Sequence, residues 1–263
     1  MKKILVGIAD AVSKALQAHT GNLAEVVGQG ADGAPSLRID RVAEDSVFRF
    51  LKSHGLAYTV VSEEAGRVEG SGEWTLVLDP IDGTHNAIRG LPAYAVSIAA
   101  CPSVTGGQTE RLADVEAGLV RDLVNGQTYF AQRGKGATLD GRGIHVRHPL
   151  QRSDTVFDVY LGEKAHPKSA AVAGVARRFR SLGVASLDLC MVARGAVDLY
   201  YLRTTATGHE LRAVDIAAAT LIVREAGGEV VDLDGRNLDM PIDPMARTNV
   251  IAYGDKQVLE MIR

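Results

Sequence analysis

Cysteine, aromatic side chains and excess positive charge are all scarce in this 263-residue chain, and each scarcity excludes something. Its two cysteines, Cys101 and Cys190, stand far apart in apolar surroundings, without the spacing of a zinc site or a disulfide framework. Reduced, buried thiols in a cytoplasmic protein are expected. Five Phe, seven Tyr and one Trp leave few faces on which bases could stack. The 29 Lys and Arg against 32 Asp and Glu, with signs scattered, provide no basic stripe for nucleic acid. Long apolar runs are missing as well, which excludes a membrane span, and Asp10 and Lys14 interrupt the N-terminal one before it could act as a signal sequence. Internal repeats, heptads and low-complexity tracts are also absent.

What is present suits a layered α/β chain, read as one unit over residues 1–263 with a sheet-rich half (1–150) and an α/β half (151–263). Apolar periodicity predicts helices over residues 2–18 and 37–54, separated by a glycine-rich, mobile loop at 20–35. Strand signals follow at 57–62, 74–78, 94–101, 115–120 and 127–131, with a polar connection at 102–110 and turns at Gly134, Gly136, Gly141 and Gly143. A boundary falls near 145–155. Beyond it, strands at 155–160, 196–202, 229–233 and 250–253 alternate with helices at 167–180, 187–194 and 213–226.

The most telling segment is Leu78-Asp79-Pro80-Ile81-Asp82-Gly83-Thr84. It follows a buried strand, and Pro80 with Gly83 turns the chain where that strand ends. Asp79 and Asp82 thereby sit at a strand's carboxyl end, where layered α/β proteins place ligand crevices, and two hard oxygen donors so close together suit Mg²⁺. Surface turns share this composition, so other acids must decide. Glu63 and Glu64 stand where another apolar strand ends, and Asp215 opens an Ala-rich helix, where an acid is also favourable simply as an N-terminal charge. Asp40 and Glu44 share one helix face at i,i+4, where like charges repel by about a few tenths of a kcal/mol. None of the seven histidines, His85 included, has zinc-site spacing, and no serine or cysteine nucleophile motif is present.

Taken together, SEEAG (62–66), LDPIDGTHN (78–86) and AVDIAAATLIVREAGG (213–228) resemble the inositol monophosphatase family of Mg²⁺-dependent, lithium-sensitive sugar phosphatases over nearly the whole chain. Residues 30–45 and the compact length resemble the archaeal type that hydrolyses both fructose 1,6-bisphosphate and inositol 1-phosphate. The resemblance implies a sugar phosphatase fold of alternating αβαβα layers, a homodimer, and two to three Mg²⁺ per active site. It makes Glu63, Asp79 and the Ile81 carbonyl oxygen ligands of one ion, with Asp79, Asp82 and Asp215 around a second and Glu63 shared with a weaker third. Elementary electrostatics agrees, since so many gathered carboxylates repel one another unless cations neutralise them. Thr84 and Glu63 would orient the attacking water, Asp40 would orient Thr84, and the Gly83 and Thr84 N–H groups would face the phosphate.

For the substrate, the resemblance offers Asp82, Arg180 and Ala185, the last two within a segment similar to one that touches the sugar. It adds Arg203, which would pair with the remote phosphate of a bisphosphate; either arginine read alone could be a solvated surface residue. Residues 204–209 lengthen the link to Asp215, and Val214 stands where many members have Trp. Rival readings are a phosphatase of 3'-phosphoadenosine 5'-phosphate or NADP from the same family, and a regulatory protein that binds phosphates without turnover. Against the latter, a mere binder has no need of both metals and a water-orienting threonine.

Overall fold

Strict alternation along the strands sorts the apolar residues of this chain into three cores, and the sorting defines its layers. The computed structural model describes every residue except Asp32, Thr105, Gly107, Pro149, Leu150, Ala206, Thr207 and Arg263. Parts of the expected loop at 20–35, connection at 102–110, boundary at 145–155 and insertion at 204–209 therefore lie outside the described residues.

Helices Lys2–Ala18 (α1) and Arg38–Ser53 (α2) form as their periodicity predicts. Between them, Val26–Gln29 (β1) and Pro35–Leu37 (β2) pair antiparallel, a ribbon where composition indicates only loop. The large sheet uses Thr59–Ser62 (β3), Gly66–Val68 (β4) and Trp74–Asp82 (β5). After the short helix Thr84–Ile88 (α3) it adds Ala95–Pro102 (β6), Ala117–Asp122 (β7), Thr128–Gln132 (β8), Ala137–Leu139 (β9) and Arg142–Ile144 (β10). Its order is β10-β9-β8-β7-β6-β5-β3-β4, with only β3 and β5 parallel. The last hairpin, β9–β10, corrects the reading of this region as turns alone, and Gly143 lies within its second strand.

The second sheet is built from Val156–Val159 (β11), then, after helix Lys168–Val175 (α4), Arg178–Arg180 (β12). Helix Ala185–Ala193 (α5) leads to Leu199–Leu202 (β13). A two-residue strand, Leu211–Arg212 (β14), runs directly into helix Ala213–Glu225 (α6), which is followed by Glu229–Val231 (β15). Arg247–Thr248 (β16) pairs with β14, and Val250–Tyr253 (β17) completes the five-stranded order β12-β11-β13-β17-β15 before helix Lys256–Glu260 (α7). The helix expected over 167–180 thus stops early. Arg178 and Arg180 are exposed on an edge strand, where their charge discourages further pairing.

In β5, Leu76 and Leu78 join α1 and α2 in one core, while Val77 faces α5 and α6 in the central one. In β13, Tyr200 and Leu202 meet that same central layer, whereas Leu199 and Tyr201 face α4 and α7. The result is five layers: α1/α2, the large sheet, α5/α6, the smaller sheet, and α4/α7. Each fully buried Leu or Ile in such a core stabilises it by about 1.5–3 kcal/mol. Cys101 and Cys190 are buried and free. Among the described residues no helix is long and apolar enough to cross a membrane.

Candidate active site

Two neighbouring parallel strands, β3 and β5, deliver the first acids. The Glu63 N–H donates to the Leu78 carbonyl at 3.3 Å, which sets Glu63 beside Asp79. Asp79 and Asp82 are three residues apart, so a regular strand would send them to opposite faces. Instead β5 continues past the expected turn and changes register against β6, pairing Asp79 with Ser97 but Asp82 with Ala95. The irregularity brings both carboxylates to one cleft and leaves Ile81 in the core against α1 and α2. The sharp turn comes one residue later, at Gly83 with φ +87°. A Cβ there would stand 2.8 Å from Val184 Cγ2 at the start of α5, so glycine is required for both conformation and space.

Helix ends position the remaining acids. Asp40 in α2 and Asp215 in α6 both lie in a first helical turn and accept a backbone N–H three residues back, from Leu37 at 3.3 Å and from Arg212 at 2.7 Å. The other oxygen of Asp40 accepts from Thr84 Oγ1 at 2.9 Å, and the same hydroxyl lies 2.9 Å from the Ile81 carbonyl oxygen. Glu44, one turn beyond Asp40, is buried and accepts from Ser62 Oγ at 2.5 Å and Ala65 N–H at 3.0 Å. The repelling pair on α2 thus braces both the Thr84 turn and the Glu63 turn.

Glu63, Asp79 and Asp215 each offer a carboxylate oxygen, and the three lie within 4.8 Å of one another. Arg212 reaches into this cluster, with Nη2 2.6 Å from Glu63 Oε1 and 2.9 Å from Asp215 Oδ1. Burial raises Glu63 to about 8 despite the attraction of Arg212. Burial, then repulsion from Glu63, Asp82 and Asp215, pushes Asp79 well above the usual carboxylate range. Burial likewise raises Asp82 to about 6, although its Oδ2 accepts the Ser186 N–H at 2.6 Å. Asp40 also rises to about 6 through burial. Such an all-oxygen, mutually repelling donor set fits a hard divalent cation, whose charge would reverse these shifts.

The acids line a cleft of about 300 Å³ together with Asp158, Tyr160, Asp188, Tyr200 and Leu202. Residues 1–262 match the inositol monophosphatase family. The chain belongs to that family. It is 35% identical to the fructose-1,6-bisphosphatase/inositol-1-monophosphatase of Methanothermobacter thermautotrophicus, covering 99% of this chain and 94% of that one. It is 32% identical to the bifunctional NADP phosphatase/NAD kinase of Methanococcus maripaludis, covering 97% of this chain and 47% of the relative. Its fold superposes on a solved inositol monophosphatase-fructose 1,6 bisphosphatase with a TM-score of 0.84 at 30% identity, covering 99% of this chain and 97% of the other.

Within this inositol monophosphatase framework Glu63, Asp79, Ile81, Asp82, Gly83, Thr84, Ala185 and Asp215 all line the cleft, and Asp40 stands directly behind Thr84. The two expected substrate arginines do not line it. Arg180 is exposed on the edge strand, in register with the cleft residue Asp158 and acting on it as an opposite charge, and it donates to the Phe179 carbonyl at 2.8 Å. Arg203 follows β13 in the register of Leu199 and Tyr201 and lines a small cavity on the far face of the sheet with Lys168 and Leu233. Sequence reasoning missed Arg212, Asp158 and Asp188. The signal for the two acids was a lone carboxylate inside an apolar strand or helix, VFDVY and ASLDLCMVA; Arg212 carried none.

Proposed function

We propose that this family member is a Mg²⁺-dependent phosphatase of sugar and polyol phosphate monoesters, with fructose 1,6-bisphosphate and inositol 1-phosphate as its first candidate substrates. The observation that carries this reading is the Glu63–Asp79–Asp215 cluster beside the hydrogen-bonded Thr84–Asp40 pair. Two or three Mg²⁺ held by Glu63, Asp79, the Ile81 carbonyl, Asp82 and Asp215 would activate water and stabilise charge developing on phosphoryl and leaving oxygens.

This chain's own residues do the rest. Ionised Asp40 takes the Thr84 proton as a hydrogen bond, which leaves lone pairs on Oγ1 to accept from the attacking water and aim it in line. Glu63 holds the other side of that water and receives its proton. Gly83 and Thr84 bring backbone N–H groups to the phosphate, and Gly83 allows the close approach. Arg212 balances the acids, with Nη2 bonded to Glu63 and Asp215. No covalent enzyme intermediate is needed.

Inhibition by lithium, assembly as a homodimer and a cytoplasmic location belong to the same reading, the last supported by the two buried free thiols. A second reading, hydrolysis of NADP or 3'-phosphoadenosine 5'-phosphate, is favoured by Tyr160 and Tyr200 in the cleft wall and by the similarity to NADP phosphatase/NAD kinase proteins. The deciding experiment is phosphate release from inositol 1-phosphate, fructose 1,6-bisphosphate and NADP, with Mg²⁺ and with excess chelator. Metal-dependent release from either sugar substrate supports the first reading; release from NADP alone replaces it with the second.

A further inference from the structure

Of the acids assigned to metal, Glu63 alone stands outside a regular element. Asp79 and Asp82 belong to β5 and Asp215 to α6, whereas Glu63 opens the loop Glu63–Glu64–Ala65 that joins β3 to β4. That hairpin lies at the edge of the large sheet, where β4 is short and anchored through Arg67 to buried Glu110. A loop in such a place opens locally at little cost unless its own residues are tied down. At Glu63 the backbone has two ties, its N–H to the Leu78 carbonyl and its carbonyl to the Ala31 N–H, each 3.3 Å long.

Glu44 holds the loop from the other side. It is 1% exposed, and a single oxygen, Oε1, takes both the Ser62 hydroxyl and the Ala65 N–H. Those donors flank Glu63 and Glu64, so one carboxylate closes both ends of the loop. Its ion-pair partner Arg41 stands 3.6 Å from the other oxygen on a side chain that is 42% exposed, and Glu64 adds repulsion. A residue that only filled space under α2 would be apolar, because a buried carboxylate with so weak a counter-charge is costly. One turn earlier on the same helix face, Asp40 holds Thr84. A single helix thus ties down both groups that flank the attacking water.

We propose that Glu44 is a positioning residue: by closing the loop at both ends it holds the Glu63 carboxylate against Asp79 and Thr84, and so sets the affinity for Mg²⁺ and the aim of the attacking water. This role rests on the phosphatase reading for what Glu63 does, and on the geometry alone for how Glu63 is held.

The test measures Mg²⁺ binding to the full chain by isothermal titration calorimetry, without substrate, for wild type, Glu44→Ala, Glu44→Gln and Ser62→Ala, each checked for folding by far-UV circular dichroism. Glu44→Ala should bind Mg²⁺ about 10- to 100-fold more weakly, the usual cost of losing a residue that orients a metal ligand. The Gln amide oxygen can still accept from both donors, so Glu44→Gln should recover at least about fivefold of that loss. With inositol 1-phosphate at saturating Mg²⁺, Glu44→Ala should lower kcat while KM changes less than about twofold. A merely structural role would lower Tm and leave the Mg²⁺ affinity of the folded protein unchanged.

Wild-type affinity in folded Glu44→Ala, or equal losses in the Ala and Gln variants, would overturn the proposal. Should Glu44→Ala not fold, Ser62→Ala decides: a loss of about tenfold supports the tether, and wild-type affinity rejects it. A wild type that binds no Mg²⁺ would remove the metal site and this role together. Binding that weakens in Glu44→Ala, with no sugar phosphate hydrolysed by wild type, would keep the role and reject the substrate assignment.

Discussion

The two ends of the cleft are both acidic, yet they are built differently. At the reacting end each Asp is pinned by a backbone N–H: Asp40 by Leu37, Asp79 by Ile81, Asp82 by Ser186 and Asp215 by Arg212. Arg212 adds a counter-charge between Glu63 and Asp215. At Asp158 and Asp188 one such bond among the described residues, from Val184 to Asp188, joins a contact between the two side chains, and Arg180 faces Asp158 from the edge strand as a counter-charge. The reacting end is therefore fixed before any ligand arrives, as preorganised catalysis requires.

The largest expected effect breaks the reacting end outright. Asp82→Asn should lower kcat by about a thousandfold, the scale of losing one charged group aimed at the transition state, with far-UV circular dichroism unchanged. Near-normal turnover by the folded variant would remove Asp82 from the metal site. Asp40→Asn should cost about 10- to 100-fold, because the amide can still fill the space but no longer hold Thr84 as a charged acceptor. With Mg²⁺ bound, whose charge lowers the raised Asp40 carboxyl, wild-type kcat should fall as Asp40 is protonated below about pH 6. A pH profile in which Asp40→Asn retains that acid limb would assign it elsewhere.

A stability measurement separates the ends without any substrate. Burial raises Glu63 to about 8 and Asp40, Asp82 and Asp158 each to about 6. A raised carboxyl binds its proton more tightly in the folded chain than in the unfolded one. Its contribution is complete below the unfolded value near pH 4 and is lost as pH climbs through about 6 to 8. With chelator present, Tm should therefore decline from pH 5 to pH 8. Added Mg²⁺ should raise Tm more at pH 8 than at pH 5, because it stabilises the ionised acids at the reacting end. A Tm indifferent to Mg²⁺ at pH 8 would contradict metal binding there.

The smallest effects are expected from the arginines. Arg180→Ala and Arg203→Ala should each change kcat/KM by less than about twofold on either sugar substrate, because neither side chain lines the cleft. A tenfold loss on fructose 1,6-bisphosphate in either variant would mean that a cation reaches the substrate at the Asp158 end, and the contrast between the two ends would narrow.

Much of the reacting end could be read from the chain because short motifs encode it. Two carboxylates around a Pro and a Gly, an acid in the first turn of an Ala-rich helix, and a glutamate after an apolar strand each place a side chain through local geometry. Helices α1, α2 and α6 were equally legible from their apolar spacing. The β1–β2 and β9–β10 ribbons were not, since glycines and polar residues mask strand pairing that depends on a partner. Helix α4 was overextended because the Ala-rich run gives way to arginines whose edge position only the sheet defines.

By itself, the sequence determined the identity of the acids, because it follows from residue type and order, and, through the resemblance that their motifs carry, the family and its alternating layers. Tertiary structure decided the register change that turns Asp79 and Asp82 the same way, the entry of Arg212 among the acids, and the pairing of Asp158 with Asp188. It also put Arg203 on the opposite face of the sheet from Tyr200 and Leu202. The physical reason is common to all four: in a strand, one residue of register exchanges the two faces, and no local signal reports which face another element will cover.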